Sequence, residues 1–281
     1  MTDVTDSVSR AREHYDRAAS DRFYQRVWAE DDLAIGVGIF REPGDTLQTA
    51  CRRTVDTMMG CLPRPAAEPL SILDLGGGYG AADRLLVRTV RCHVVAVNLS
   101  TQQNDSHRER NRQAGLDDRI RVIDGDFQRL PADLGRFDVV WSQDSFIHAS
   151  DRAGLFGEVD RVLKPGGTLV FTDLLCNPEC PPDALRPVRD RFGIAGIASA
   201  DDYRRLAQAR GWQVVAAIDL SPNLATHYRC LLATLEDRRP ALMDAFLPEE
   251  LDRIADGIRS WVAAADRDQL RWGLFHMRKP A

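Results

Sequence analysis

The stretch Ser71–Ala81, S-I-L-D-L-G-G-G-Y-G-A, constrains what this chain can fold into more than any other. A short apolar run ends with an acid, Asp74, near its close and breaks into a loop with glycine at positions 76, 77, 78 and 80. Glycine is needed where backbone takes positive φ or lies against another group with no room for a Cβ. The pattern predicts a buried strand, a tight turn, and a helix from about Ala81 to Arg88 whose first N–H groups face an anionic or polar ligand. It is the local architecture of a nucleotide-type cradle.

Strands and helices alternate after it. The periodicity predicts strands at 71–75, 93–98, 120–123, 137–142, 168–173 and 212–219, and helices at 81–90, 101–114, 151–163 and 200–210. The strands are near-continuously apolar, as required when helices cover both faces of a sheet. The expected fold is α/β: a Rossmann-like, seven-stranded, mostly parallel sheet with helices on both faces. Five segments are expected. Residues 1–20 form a flexible N-terminus, 21–68 a helical cap, 69–220 the cofactor-binding core, 221–265 a helical lid, and 266–281 the last strand of the core. The lid is expected to break at Pro222, Pro240 and Pro248, and with the cap to roof the cofactor cleft.

A net charge of −5 gives no basic field, which argues against a nucleic-acid partner. No apolar run is long enough to span a bilayer, and the N-terminal residues lack the apolar core of a secretory signal. The expected location is cytoplasmic, with no membrane partner, and the charged exterior suits a monomer and a homodimer alike. The six cysteines are scattered without C-x-x-C spacing, so no metal site is expected.

Two cofactors compete for the glycine loop. Gly76-x-Gly78-x-x-Ala81 satisfies a dinucleotide pattern, implying NAD or FAD. The same residues, begun at Asp74, satisfy acid-x-G-x-G-x-G, the pattern of S-adenosyl-L-methionine (SAM) methyltransferases. An acid at 74 suits an ammonium and would repel a pyrophosphate. The second strand ends in Asn98, where a dinucleotide site wants an acid for the ribose. The later segments Asp124-Gly-Asp126-Phe127, F-D-V-V-W-S-Q-D and Arg161-V-L-K-P-G-G follow in the order found in class I methyltransferases. Asp126 is then a candidate acceptor for the adenine amino group, and Phe127 an apolar wall.

On these motifs the sequence resembles the sarcosine/dimethylglycine N-methyltransferases of betaine synthesis and related natural-product methyltransferases, from about Asp21 to Lys279. Asp21-R-F-Tyr24-x-x-V-Trp28 resembles the family's cap motif, which implies that Tyr24 and Trp28 cover the cofactor. Asn98-Leu99 and Gln103-Asn104 resemble its second-strand motif, and Trp141-S-Gln143-Asp144-x-F-x-His148 its fourth. Thr172-Asp173, His227-Tyr228 and Trp272-Gly273 also fit. The resemblance further implies that Gln143 and Arg191 hold a substrate carboxylate. The chain departs from the family at Gly36 and Phe40, where a histidine and a tyrosine are usual. Losing two polar groups near the cleft points to a larger or less polar acceptor than a glycine derivative.

A neutral amine needs no base for methyl transfer, whereas an alcohol, indole or activated carbon does. The candidates for catalysis are His148, Asp144 and His227; those for the acceptor are Gly36, Phe40, Asp173, Arg191 and Tyr228. Each has a structural alternative: His148 as the cap of a helix near Ser150, Asp173 as a strand-end acceptor, and His227 as a packing residue. The expected function is SAM-dependent methyl transfer to a small-molecule amine or heteroaromatic metabolite, at nitrogen or carbon. Sarcosine/dimethylglycine N-methylation, an NAD-dependent oxidoreductase and a non-catalytic SAM-binding regulator are the alternatives.

Overall fold

The computed structural model describes residues 36–63, 68–181, 183–194 and 196–281, together with Phe23 and Val27. Strands β1 (Leu70–Leu75), β2 (Cys92–Asn98), β3 (Ile120–Asp124), β4 (Phe137–Gln143), β5 (Leu163–Cys176), β6 (Gln213–Asp219) and β7 (Leu270–Arg278) form one sheet. Its order is β3-β2-β1-β4-β5-β7-β6. β1 to β5 pair in parallel, while β7 runs antiparallel between β5 and β6.

The helices are α1 (Leu47–Met59), α2 (Ala81–Thr89), α3 (Thr101–Gln113), α4 (Arg152–Val162), α5 (Arg186–Phe192), α6 (Ala200–Gln208), α7 (Leu224–Leu242) and α8 (Pro248–Asp266). The continuous apolar character of the strands follows from what lies on each face. Ile72, Val139, Val170 and Leu274 pack with α1, α2, α7 and α8, while their neighbours Leu73, Val140, Leu169 and Phe275 pack with α4 and α6. Successive side chains of a strand point to opposite faces, so a sheet covered on both sides admits no polar alternation.

Several elements differ from expectation. Residues 36–45 do not continue a helical cap; 37–41 run without regular structure before α1 begins at Leu47, capped by the Thr46 side chain. The chain stays helical through Pro240, which sits in the last turns of α7, where Leu235 and Leu242 are buried. Helix α5, with Pro187 in its first turn, carries too short a pattern to read from sequence. β5 starts at Leu163 rather than 168, because Gly166 turns at φ 72° and a bulge opposite Phe137 and Val139 absorbs the extra residues. The α7–α8 pair is inserted between β6 and β7, which pair as expected. It packs on a sheet face with α1 instead of roofing the crevice over β1. Tyr24 and Trp28 lie outside the described residues, as does the side chain of Arg191.

Candidate active site

A cleft of about 790 Å³ opens along the carboxyl edge of β1, β2 and β4, where strand order reverses. Asp74, Gly76 and Gly78 form its floor, Asn98, Leu99 and Gln103 one wall, and Asp126, Phe127, Gln143, Asp144 and His148 the other. The fold brings these residues, expected from the sequence, to one cleft.

The loop geometry explains the glycines. Gly76 sits at φ 89°, and a Cβ there would stand 2.2 Å from Ser145 Oγ. Gly80 takes φ 78° as the N-cap of α2 and supplies no side-chain cap, so the helix's first N–H groups stay directed at the loop. Asn98 Nδ2 donates to Gln103 Oε1 at 3.1 Å and to Asn104 Oδ1 at 3.0 Å, which fixes its amide at the cleft wall. Asp126 Oδ1 accepts from the Gln128 N–H at 2.9 Å. Phe127 leans on Phe146 with ring centroids 6.1 Å apart.

The structure also revises the expected roles of several candidates, most of which lie outside the cleft. Residues 36–41 form a strap whose backbone is held by side chains from three directions. Val37 N–H donates to Asp144 Oδ2 at 2.9 Å, Gly38 N–H to His227 Nδ1 at 3.2 Å, and Phe40 N–H to Asn223 Oδ1 at 2.9 Å. From α1, Thr54 Oγ1 donates to Val37 O at 2.8 Å and Arg53 Nη1 to Ile39 O at 2.7 Å. His227 is fully buried outside the cleft, and burial pushes it down to about 3, so it is a neutral acceptor and not a proton-transfer group. Asp144 reaches the cleft, but its Oδ2 holds Val37 and its Oδ1 accepts from Trp272 Nε1 at 2.8 Å. A carboxylate with both oxygens engaged is a bracket, not a free base.

Gly36 and Phe40 also change meaning. A Cβ on Gly36 would stand 2.3 Å from Gln143 Nε2, so glycine here makes room for the Gln143 side chain. Phe40 faces His227, with centroids 6.4 Å apart, and does not line the cleft. Tyr228 is buried between His227 and Trp261, at 5.1 and 4.9 Å. Asp173, fully buried, accepts from Ile147 N–H at 3.0 Å and Tyr203 Oη at 2.5 Å, and burial raises it to about 7. It is a structural acceptor outside the cleft. His148 lines the cleft, while the cap of α4 is Asp151, which accepts from Gly154 N–H.

Sequence reasoning missed the contribution of α1. Thr49, Arg52, Arg53 and Asp56 line the cleft, at the i, i+3, i+4, i+7 spacing of one helix face. That polar stripe was the available signal.

The donor set suits SAM. Asp74 Oδ1 is buried without a hydrogen-bond partner among the described residues, and Asp83 lies beside it. Two acids under the loop fit an ammonium and oppose a pyrophosphate. Fold and cradle together define a class I SAM-dependent methyltransferase. A methyltransferase-domain family model matches residues 73–171. The sarcosine/dimethylglycine N-methyltransferase of Aphanothece halophytica is 36% identical over 281 residues, covering 100% of both chains. The glycine/sarcosine/dimethylglycine N-methyltransferase of Actinopolyspora halophila is 39% identical over 98% of this chain, which spans only 48% of that longer relative. A Galdieria sulphuraria structure described as a sarcosine dimethylglycine methyltransferase superposes with a TM-score of 0.86 at 33% identity, over 95% of this chain and 98% of that one. The chain belongs to the sarcosine/dimethylglycine N-methyltransferase family.

Proposed function

We propose that this protein methylates the nitrogen of a small amine, with sarcosine and dimethylglycine as the first acceptors to test. The observation that supports N-methylation is the engagement of Asp144. With both its oxygens held, Asp144 is not offered to the acceptor as a free base at the end of β4. An amine attacking through its own lone pair needs no such group in the transfer step.

SAM, when bound, supplies an electrophilic methyl carried on a positively charged sulfur. Asp74 takes the ammonium of its amino-acid end. Asn98, with Nδ2 turned inward, offers Oδ1 to the ribose hydroxyls, beside Leu99 and Gln103. Asp126 accepts from the adenine amino group, and Phe127 covers the ring. Gln143, given room by Gly36, and His148 orient the acceptor amine. The strap at 36–41 shuts the cleft behind Gln143 and keeps water from the reacting atoms. Residues 69–220 then act as the cofactor-binding core. The α7–α8 insertion acts through the strap it holds, as part of a soluble cytoplasmic enzyme with a free metabolite as substrate.

Labelled SAM incubated with sarcosine, dimethylglycine, and a panel of heteroaromatic amines, phenols and indoles tests the reading. N-methylated product from an amine is the expected result. Product only from phenols or from indole carbon would overturn N-methylation, and binding of SAM with no transfer to any acceptor would favour a regulator. Among the described residues, no helix is long and apolar enough to cross a membrane.

A further inference from the structure

Beneath the glycine loop lies a group of buried titratable side chains, of which only Asp74 lines the cleft. Asp74 at the end of β1 is 3% exposed; Asp83 in the first turn of α2 and His107 of α3 are both at 0%. A Cβ built on Gly77 would stand 2.9 Å from Asp74 Oδ2 and 3.2 Å from Asp83 Oδ2, so the two carboxyls converge on one point behind the loop. His107 Nε2 lies 3.5 Å from Asp83 Oδ2. Among the described residues, no hydrogen-bond partner reaches Asp74 Oδ1, either oxygen of Asp83, or either ring nitrogen of His107.

We propose that Asp74 and Asp83 work as one unit, a carboxyl pair sharing a single proton, in which Asp83 holds the proton while Asp74 presents its charge to the ammonium end of the cofactor. The inference rests on the cofactor placement proposed above. Asp83 is then a positioning residue, acting through Asp74.

Two carboxylates this close repel, and burial denies both of them water, so the pair retains a proton. One proton converts the repulsion into an O–H···O⁻ hydrogen bond, the strong charge-assisted kind. Asp74 is the member that lines the cleft, so an arriving ammonium favours its charged form and leaves the proton to Asp83. Without the cofactor the surroundings put the shared proton on Asp74, and it is the arriving ammonium that shifts it to Asp83. Burial first, then the neighbouring carboxyl, drives Asp74 well above the ordinary aspartate range, and burial raises Asp83. Arg84 of α2, tied to Tyr79 O at 2.8 Å, favours the Asp83 carboxylate and so keeps the pair from holding two protons at neutral pH. His107 is pushed down to about 3 by burial and by Arg84 and Arg108, and Cys92 of β2 up to about 11 by burial, so both face the pair uncharged.

The pair loses its charge only when a second proton binds, at a pH above that of an isolated aspartate. Calorimetric titration with S-adenosyl-L-homocysteine, between about pH 5 and 8 in two buffers of different ionisation enthalpy, reads this directly. The wild type is expected to bind with no net proton exchange at the upper end. Towards the lower end its affinity should fall by about tenfold per pH unit with about one proton released per ligand. Asp83→Asn keeps the packing, donates an amide N–H to Asp74, and should move the fall at least about one unit lower, towards an aspartate pKa of about 4. His107→Asn gives Asp83 a donor and should move it in the same direction. Superimposed wild-type and Asp83→Asn profiles would overturn the proposal. If Asp83→Asn does not fold, zero proton release by the wild type across the range overturns it equally. No binding by the wild type at any pH refutes the cofactor placement itself.

Discussion

Asp144→Ala separates a bracket from a base. In the folded protein, Asp144 Oδ2 accepts from Val37 N–H at 2.9 Å and Oδ1 from Trp272 Nε1–H at 2.8 Å. Both donors are inside the protein, Val37 at 2% and Trp272 at 0% exposure. Truncation leaves two buried N–H groups without an acceptor, at about 1–3 kcal/mol each. Asp144 also sits at φ 53°, where alanine costs about 1 kcal/mol more than aspartate. The total, about 3–7 kcal/mol, is a large part of a typical domain stability of about 5–15 kcal/mol. Asp144→Asn keeps one acceptor and should lose only about 1–3 kcal/mol. Urea unfolding is expected to rank wild type above Asn above Ala in midpoint, at constant m. In steady-state kinetics the Asn variant should hold kcat within about tenfold and raise KM, because a loosened strap closes the cleft less well. An unchanged urea midpoint for Asp144→Asn, with kcat lower by about 10³ or more, would refute the bracket and restore Asp144 as a base.

Three further outcomes follow from the same geometry. Gly76→Ala forces a side chain into φ 89° and to 2.2 Å from Ser145 Oγ, so stability should fall by about 2–5 kcal/mol and S-adenosyl-L-homocysteine affinity by at least about tenfold; unchanged calorimetric affinity contradicts the cradle. His227, held down to about 3 against an unfolded value of about 6.5, favours the folded state fully above about pH 6.5, and that contribution is lost as pH falls towards about 3. Asp173, raised to about 7, works in the opposite sense in the overlapping window, but it is common to both proteins when wild type is compared with His227→Gln. The variant should therefore lose up to about 1.4 kcal/mol less per pH unit between about pH 6.5 and 5, and parallel urea-midpoint curves exclude the neutral-acceptor role. Tyr203→Phe removes the phenol that donates to Asp173 at 2.5 Å and should cost about 1.5–3 kcal/mol with KM unchanged, since Asp173 lies outside the cleft; a raised KM at wild-type stability would place Asp173 at the substrate instead.

The core elements were legible because their signals are local. A fully buried strand reads as an apolar run, and a cradle reads as glycines at fixed offsets from Asp74, so β1 to β4 and the loop fall where periodicity places them. The cleft wall was legible for the same reason: Asn98, Asp126 and Gln143 each end or follow a strand, and strand ends converge on the crevice of an open sheet. What could not be read depends on pairing across the chain. Nothing near position 36 announces that its missing Cβ makes way for Gln143, more than a hundred residues later. His227 and Asp173 look like chemistry in sequence because they are polar within motifs. Burial decides otherwise, and burial is a property of the assembled fold.

The strap ties these observations into one account of how the α7–α8 insertion reaches the cleft. Neither helix lines the cavity, so an insertion acting only as a roof would leave no route to the cofactor. Residues 37–41 have no neighbouring strand to satisfy their backbone, and a buried N–H without a partner is costly. The donors at Val37, Gly38 and Phe40 are satisfied by Asp144, His227 and Asn223, which belong to the end of β4, to α7, and to the turn before it. Trp272 on β7 completes the bracket at Asp144. The insertion between β6 and β7 thereby fixes the position of Gly36, and Gly36 fixes the space open to Gln143. The family's polar residues at 36 and 40 are absent here without the cleft losing its charged lining, which α1 supplies through Arg52, Arg53 and Asp56. Substitutions at Asn223 or His227 are therefore expected to alter acceptor selectivity through strap position, without touching the substrate; unchanged relative rates across the acceptor panel would contradict this.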